Sequence, residues 1–208
     1  MKTENRVLMQ AAKQSLKGKW GTAIAVFLIY LVIVFAANLG LGLLPFGEVA
    51  QLLSSVATCL LVGPFLLGLA IFFLSVSRNE IASIDQLFQG FDRFGTAFGA
   101  YFLTTLFSCL WALLLIVPGI IAAISYAMTF YILADDHSIG ILDAIRKSKM
   151  MMKGYKWKFV CLQLRFVGWF LLCCLTLGIG FLWLFPYAQT SIAKFYDDVK
   201  NNGLVEYA

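Results

Sequence analysis

Residues 98–135 read FGAYFLTTLFSCLWALLLIVPGIIAAISYAMTFYILAD, and this stretch decides the fold. Its first charged residue is Asp135, and its two apolar segments, 98–117 and 119–134, meet at a turn that contains Pro118 and Gly119. An α-helix needs about 20 apolar residues to cross the roughly 30 Å of hydrocarbon in a bilayer. The stretch therefore predicts two membrane-spanning helices joined by a tight turn.

The same pattern extends in both directions along the chain. Four further apolar segments are 20–44, 49–76, 157–176 and 178–195, and short turns at 45–47 and 176–178 join them in pairs. Charged residues make up 13% of the chain, whereas soluble domains have about 25%. We therefore expect a single all-α polytopic membrane domain over residues 1–208, with six transmembrane helices arranged as three hairpins.

The basic residues set the expected orientation, because Lys and Arg close to the ends of spans are retained in the cytoplasm. The three short turns contain none of the 16 Lys and Arg residues. All but Arg165 lie at the N-terminus, in the two long connections or towards the C-terminus: Lys2, Arg6, Lys13, Lys17, Lys19, Arg78, Arg93, Arg146, Lys147, Lys149, Lys153, Lys156, Lys158, Lys194 and Lys200. We expect both termini to be cytoplasmic, and the net charge of +5 to face anionic lipid headgroups rather than nucleic acid.

The hairpins share features that suggest three copies of one unit. The fourth and sixth helices end in similar stretches, YAMTFYILADD at 126–136 and YAQTSIAKFYDD at 187–198, which differ by one inserted residue. The alignment also makes three pairs equivalent, with a weaker match for the first: Pro64 and Gly68, Ser125 and Thr129, Pro186 and Thr190. Three such units predict pseudo-threefold packing about an axis along the membrane normal; the alternative is a coincidence of hydropathy.

A cytoplasmic amphipathic segment precedes each hairpin and is expected to be a helix in the membrane interface. The first ends at Gly18, and the third runs from Ser138 to Gly154. The second begins with Ser83-Ile84-Asp85-Gln86. Ser83 and Gln86 have the spacing of a capping box, in which each side chain bonds the backbone amide of the other residue.

Polar side chains within the apolar segments are the candidate functional residues, because placing them in hydrocarbon is costly. Arg165 lies about eight residues into the fifth helix, hence about 12 Å from its start. It is either a buried cation that binds a lipid phosphate or an anionic solute together with Gln189, or a side chain that reaches back to the inner headgroups and anchors the helix. Thr129 and Thr190 complete the predicted lipid- or solute-binding set.

Motifs of catalysis and metal binding are missing from the sequence. Asp135-Asp136-His137 could hold a divalent ion, but adjacent Asp residues point in different directions on a helix and no second cluster supplies ligands, so a helix end or a cap is expected. The five cysteines all lie in apolar segments and are expected to be packing residues. With no nucleophile arrangement and no phosphate loop, we expect no enzyme activity, no metal and no cofactor.

Several motifs, taken in order, resemble a bacterial integral membrane family. They are GP at 63–64, FDRFG at 91–95, LIVPGII at 115–121, YILAD at 131–135, MMKG at 151–154, GWF at 168–170 and LTLGIG at 175–180. This ordered set resembles the family catalogued as domain of unknown function 975. The resemblance implies a bacterial plasma-membrane protein and carries over no activity, cofactor or site residue.

Two functions remain open from the sequence. The first is a non-enzymatic membrane protein, an accessory or scaffold associated with lipids or with a membrane protein partner through a basic cytoplasmic collar. The alternative is a small transporter of a solute, lipid or ion, with a pathway between the three hairpins. The first predicts a dry, packed centre and the second a polar, hydrated one. The first is favoured, because Arg165 is the one charged residue far from an interface and ion-coupled transporters usually need several.

Overall fold

The structure is a computed structural model that describes residues 3–42, 48–176 and 178–206. Within these residues the chain forms nine α-helices: α1 (Asn5–Ser15), α2 (Trp20–Gly42), α3 (Glu48–Ser77), α4 (Phe94–Leu114), α5 (Ile116–Tyr126), α6 (Thr129–Asp135), α7 (Ile141–Met151), α8 (Lys156–Leu175) and α9 (Phe181–Glu206). Two short 3-10 turns, Ile84–Leu87 and Gln89–Phe91, connect α3 to α4. The prediction of an all-helical chain is confirmed for these residues.

Several helices could cross a membrane. By length and composition, four described segments qualify: Val56–Ser77, Phe94–Leu114, Ile116–Asp135 and Lys156–Leu175. A fifth is obtained if α1 and the Trp20–Ala36 part of α2, which are bent by 94° relative to each other, are taken together. The prediction of membrane-spanning helices is therefore supported, whereas six spans are not established.

The predicted helix boundaries need correction in the middle of the chain. The break between the third and fourth predicted helices falls at Leu115, whose backbone is extended (φ −161°, ψ 139°). Pro118 therefore lies in the first turn of α5, where its missing N–H removes no helical hydrogen bond. The fourth predicted helix is also interrupted between Tyr126 and Thr129, where the Thr129 hydroxyl donates to the Tyr126 carbonyl at 2.8 Å. The predicted turn at 45–47 and Leu177 lie outside the described residues.

The second amphipathic segment is not the helix that the sequence predicted. Ser83 makes no capping hydrogen bond, and the Gln86 amide donates instead to the Ser75 hydroxyl at 3.2 Å and the Ile81 carbonyl at 3.3 Å. Packing against α3 explains the difference. A Cβ on Gly68 would lie 2.0 Å from the Leu87 carbonyl oxygen, and one on Gly90 would lie 2.0 Å from the Pro64 carbonyl oxygen. The two backbones approach so closely that only glycine fits at these positions. This tertiary contact, rather than the capping-box spacing, decides the conformation of the segment.

The core lies where α3, α6 and α9 meet. Fully buried side chains from all three helices fill it, including Phe72, Phe73, Ile132, Leu133 and Phe195. Each connecting segment packs against one of these helices: α1 against α9, the 3-10 turns against α3, and α7 against α6. Outward-facing positions such as Leu113, Ile116 and Leu175 leave three-quarters or more of their apolar side chains exposed. This exposed apolar surface is typical of a protein surrounded by lipid.

Candidate functional site

A network of charges joins the ends of α3 and α6 to the C-terminal half of α9, and we call it the Arg78 network. Its members are Arg78, Asp135, Tyr196, Asp197 and Lys200. Arg78 Nη1 donates to Asp135 Oδ1 at 2.7 Å, and Nη2 donates to Asp197 Oδ1 at 2.9 Å. The second oxygen of Asp135 accepts from the Tyr196 hydroxyl at 2.9 Å and from the Lys200 ammonium group. One guanidinium therefore links the end of α3 to the end of α6 and to α9.

The Arg78 network is partly shielded from water and keeps its charges. The exposed fraction of the side chain is 30% for Arg78, 10% for Asp135 and 22% for Asp197. Partial burial alone would lower the pKa of Arg78, but its hydrogen bonds to Asp135 and Asp197 raise that pKa overall. Burial, followed by the negative charge of Asp135 and the hydrogen bond to it, raises the pKa of Tyr196. Tyr196 thus stays protonated and donates to a carboxylate.

A second buried pair fixes α1 against α8 and α9. Lys158 Nζ donates to Asp198 Oδ2 at 2.7 Å, and both side chains are less than 15% exposed. The Thr3 hydroxyl donates to the same carboxylate, and the Asn5 amide donates to the Lys158 carbonyl at 2.9 Å. The bonds of Thr3 and Asn5 therefore hold the start of α1 against α8 and α9.

A polar cavity of about 390 Å³ lies among α3, α5, α6, α8 and α9, and we call it the Gln189 cavity. Its polar lining residues are Tyr131, Gln163 and Gln189, and apolar residues such as Ala70 and Phe159 complete the wall. The Tyr131 hydroxyl donates to Gln189 Oε1 at 3.1 Å. The Tyr131 ring stacks on Tyr196, with 5.8 Å between ring centroids. The cavity thus borders the Arg78 network through two stacked tyrosines.

The four residues predicted as a binding set occupy different environments. Gln189 lines the cavity just described, whereas Arg165 is exposed and makes no hydrogen bond or ion pair with another described residue. Thr129 and Thr190 are fully buried, and each donates to a carbonyl of the preceding turn, Tyr126 and Pro186 respectively, at 2.8 Å. No hydrogen bond joins Arg165 to Gln189 in the described part of the chain.

A second opening, which we call the Trp183 cleft, has a volume of about 420 Å³ and lies between α1 and α2 on one side and α8 and α9 on the other. Its lining is mainly apolar and aromatic. The residues are Lys13, Trp20, Trp169, Leu172, Cys173, Thr176, Gly180, Trp183, Leu184 and Tyr187. Trp169 and Trp183 are each more than half exposed, so the cleft opens onto the protein surface.

Sequence reasoning missed the Arg78 network. It treated Asp135 and Asp136 as a plain helix end or cap. α6 does end at Asp135, but the ion pairs of this carboxylate were not predicted. The Asp136 carboxylate accepts from the Ser138 amide at 3.0 Å and hydroxyl at 2.7 Å. His137 Nδ1 lies 3.2 Å from Arg93 Nη1 rather than beside a carboxylate pair. No cluster of three potential metal ligands occurs among the described residues. The similar Asp-Asp endings at 135–136 and 197–198 were the available signal, since one member of each pair joins the network.

A comparison with protein-family models shows which family the chain belongs to. A family model described as "Protein of unknown function (DUF975)" matches residues 1–130 and 113–203. The chain belongs to this family. The resemblance inferred from the motifs is thereby confirmed. Comparisons with curated proteins and with solved structures find no match.

Proposed function

We propose that this member of the family is a non-enzymatic integral membrane protein of the bacterial plasma membrane, a lipid-associated or partner-associated accessory or scaffold. Both termini lie in the cytoplasm in this proposal, because the basic residues flank the helix ends that carry the Arg78 network. The Arg78 network and the Lys158–Asp198 pair then sit at the cytoplasmic face.

The proposal rests on one observation: the helix junction is tightly packed, and an open cleft lies outside it. The meeting point of α3, α6 and α9 is filled by fully buried aromatic and aliphatic side chains, among them Phe72, Phe73 and Phe195. The Arg78 ion pairs also join these three helices. The Trp183 cleft lies outside this centre and carries exposed tryptophans. The Gln189 cavity also lies among these helices, and this proposal takes it to be closed to water. A helix junction held by buried side chains and ion pairs, with an aromatic-lined cleft on the outside, suits a protein that holds lipid more than one that passes a solute through its centre.

A basic collar supports association with anionic headgroups or with a partner at the cytoplasmic face. On α7, Ala144, Ile145 and Ser148 are buried, while Arg146 and Lys149 are exposed. On α1, Leu8 and Ala12 are buried, whereas Arg6, Gln10 and Lys13 are exposed. Basic side chains near an anionic surface each contribute about 1 kcal/mol of attraction.

We also propose that the three hairpins are repeats arranged around a pseudo-threefold axis. Two connecting segments approach equivalent backbone positions: Gly90 lies against the Pro64 carbonyl, and the Ser148 hydroxyl donates to the Ser125 carbonyl at 2.8 Å. Pro64 and Ser125 are the residues that the sequence alignment made equivalent. α1 packs on α9, the helix that contains Pro186, and in this proposal it completes the cycle.

Mass spectrometry of the protein gently extracted from its native membrane tests this proposal. We expect a bound lipid or a membrane protein partner to be retained in a fixed ratio to the chain. Retention of neither a lipid nor a polypeptide under conditions that keep the protein folded would contradict it.

The Gln189 cavity favours a second candidate, a small-solute transporter. The hydroxyl of Tyr131 and the amides of Gln163 and Gln189 line this cavity, and polar groups at membrane depth often mark a solute pathway. Flux assays in proteoliposomes test it. Saturable solute uptake that is abolished by Gln189→Leu, but not by Gln10→Leu on the exposed face of α1, would favour transport over the accessory role.

A further inference from the structure

The shape of the Trp183 cleft suits an extended apolar group. Its lining follows α9 from Tyr187 to Gly180, a rise of about 10 Å, and follows α8 from Trp169 to Thr176 alongside. Its volume of about 420 Å³ lies in the range of small-molecule sites, which is roughly 300–1,000 Å³.

The aromatic lining of the cleft is concentrated. Three of the chain's five tryptophans, Trp20, Trp169 and Trp183, line this one cleft. Tryptophan combines a large apolar ring with an N–H donor and is favoured where a membrane protein contacts lipid near the headgroups. An apolar chain lying in the cleft would be flanked by these rings.

Lys13 supplies the charge at the cleft. Of the described residues that line the cleft, Lys13 alone is charged, and it is exposed. No described hydrogen bond or ion pair engages its ammonium group, whereas Lys158 and Lys200 are paired with Asp198 and Asp135. Lys13 is therefore available to an anion at the end of the cleft formed by α1.

We infer that the Trp183 cleft binds one anionic phospholipid, with its phosphate at the Lys13 ammonium group and an acyl chain against Trp169 and Trp183. This inference rests on the proposed lipid association and adds a site and a headgroup charge to it. A lone cation over an apolar cleft matches an anionic headgroup with attached hydrocarbon, and the full chain in a bilayer has such lipids as neighbours.

Quenching of tryptophan fluorescence by brominated lipids tests the site. In a Trp111→Phe/Trp157→Phe background, the remaining tryptophans are the three that line the cleft. The protein is reconstituted in phosphatidylcholine vesicles, and brominated phosphatidylglycerol or brominated phosphatidylcholine is added in steps. We expect brominated phosphatidylglycerol to reach half-maximal quenching at a mole fraction about fivefold lower than brominated phosphatidylcholine. This factor corresponds to the attraction of about 1 kcal/mol between one basic side chain and an anionic surface.

Matched lysine variants test whether Lys13 causes the preference for the anionic lipid. Lys13→Gln is expected to make the two lipids quench equally, and Lys13→Arg to keep the preference. Lys17→Gln removes the same charge from an exposed lysine that does not line the cleft, so it should leave the preference unchanged. Equal quenching by both lipids in the parent protein, or equal effects of Lys13→Gln and Lys17→Gln, would overturn the inference. If native extraction nevertheless retains lipid, only the assigned site fails; if it retains neither lipid nor partner, the proposed function fails as well.

Discussion

At the scale of single residues, Asp135 links helices that are distant in the sequence, which its position at the end of α6 does not suggest. It accepts hydrogen bonds from Arg78, which follows α3, and from Tyr196 and Lys200 on α9. The Asp136 carboxylate, one residue later, accepts locally from the Ser138 amide and hydroxyl. Adjacent carboxylates thus differ in role because only one of them points at the junction of the helices.

These two aspartates form a matched pair for mutagenesis. Asp135→Asn would leave Arg78 and Lys200 without their shared anion. We expect the free energy of unfolding to fall by about 2 kcal/mol, which lies between the effect of breaking an exposed ion pair and the 3–5 kcal/mol of breaking a buried one. The apparent unfolding midpoint in detergent should fall by about 4–8 °C. Asp136→Asn should leave the midpoint unchanged. Equal midpoints for both variants would contradict a structural role for the Arg78 network.

Arg165 gives a second prediction at this scale. Since its side chain is exposed and unpaired among the described residues, Arg165→Leu should leave insertion, thermal midpoint and lipid retention nearly unchanged. Lipid retention measured by mass spectrometry checks this. Loss of a bound lipid in Arg165→Leu, with the protein still folded, would restore Arg165 as a binding residue.

The sequence identified some residues of the candidate sites and missed others for a physical reason. Gln189 was predictable because an amide in an apolar helix is conspicuous. Arg78 and Asp135 lie at helix ends, where charged residues are ordinary, and only the tertiary approach of α3 and α6 makes them partners. Lys13 and Trp183 likewise line one cleft only because α1 packs against α9, and the sequence does not show that contact.

At the scale of elements, close backbone contact decides the conformation of the segment before α4. The apolar runs were sufficient to predict α4 and α8, because long uncharged segments have few alternatives. The 3-10 turns were not predictable from the capping-box spacing, because contacts between Gly68 and Leu87 and between Gly90 and Pro64 are long-range.

A glycine pair tests this contact. Gly68→Ala would place a Cβ 2.0 Å from the Leu87 carbonyl oxygen, and two backbones must then separate. We expect a loss of about 1–3 kcal/mol in stability. Gly168→Ala on α8 meets nothing within 4 Å and should be neutral or stabilising by up to about 1 kcal/mol. Thermal unfolding in detergent measures both, and a Gly68→Ala protein as stable as Gly168→Ala would refute the close approach.

At the scale of the whole molecule, the distribution of basic residues predicts the orientation. The N-terminal segment and the connection that contains α7 are rich in Lys and Arg, so fusions at either terminus should report the cytoplasm. A fluorescent protein that matures in the cytoplasm should be bright at both ends, and a phosphatase that works only outside should be inactive there. An active phosphatase at either terminus would reverse the proposed orientation of the Arg78 network.

Water access to the centre of the bundle tests the account most directly. Ala70 is buried, lines the Gln189 cavity and tolerates a change of small volume, so Ala70→Cys in a background without the five native cysteines places a thiol there. A charged, membrane-impermeant thiol reagent should modify an exposed control, Ser138→Cys, from the cytoplasmic side, and it should modify Ala70→Cys from neither side of the membrane. Modification of Ala70→Cys at a rate close to that of the control would show a hydrated pathway and contradict the packed, lipid-holding protein proposed here.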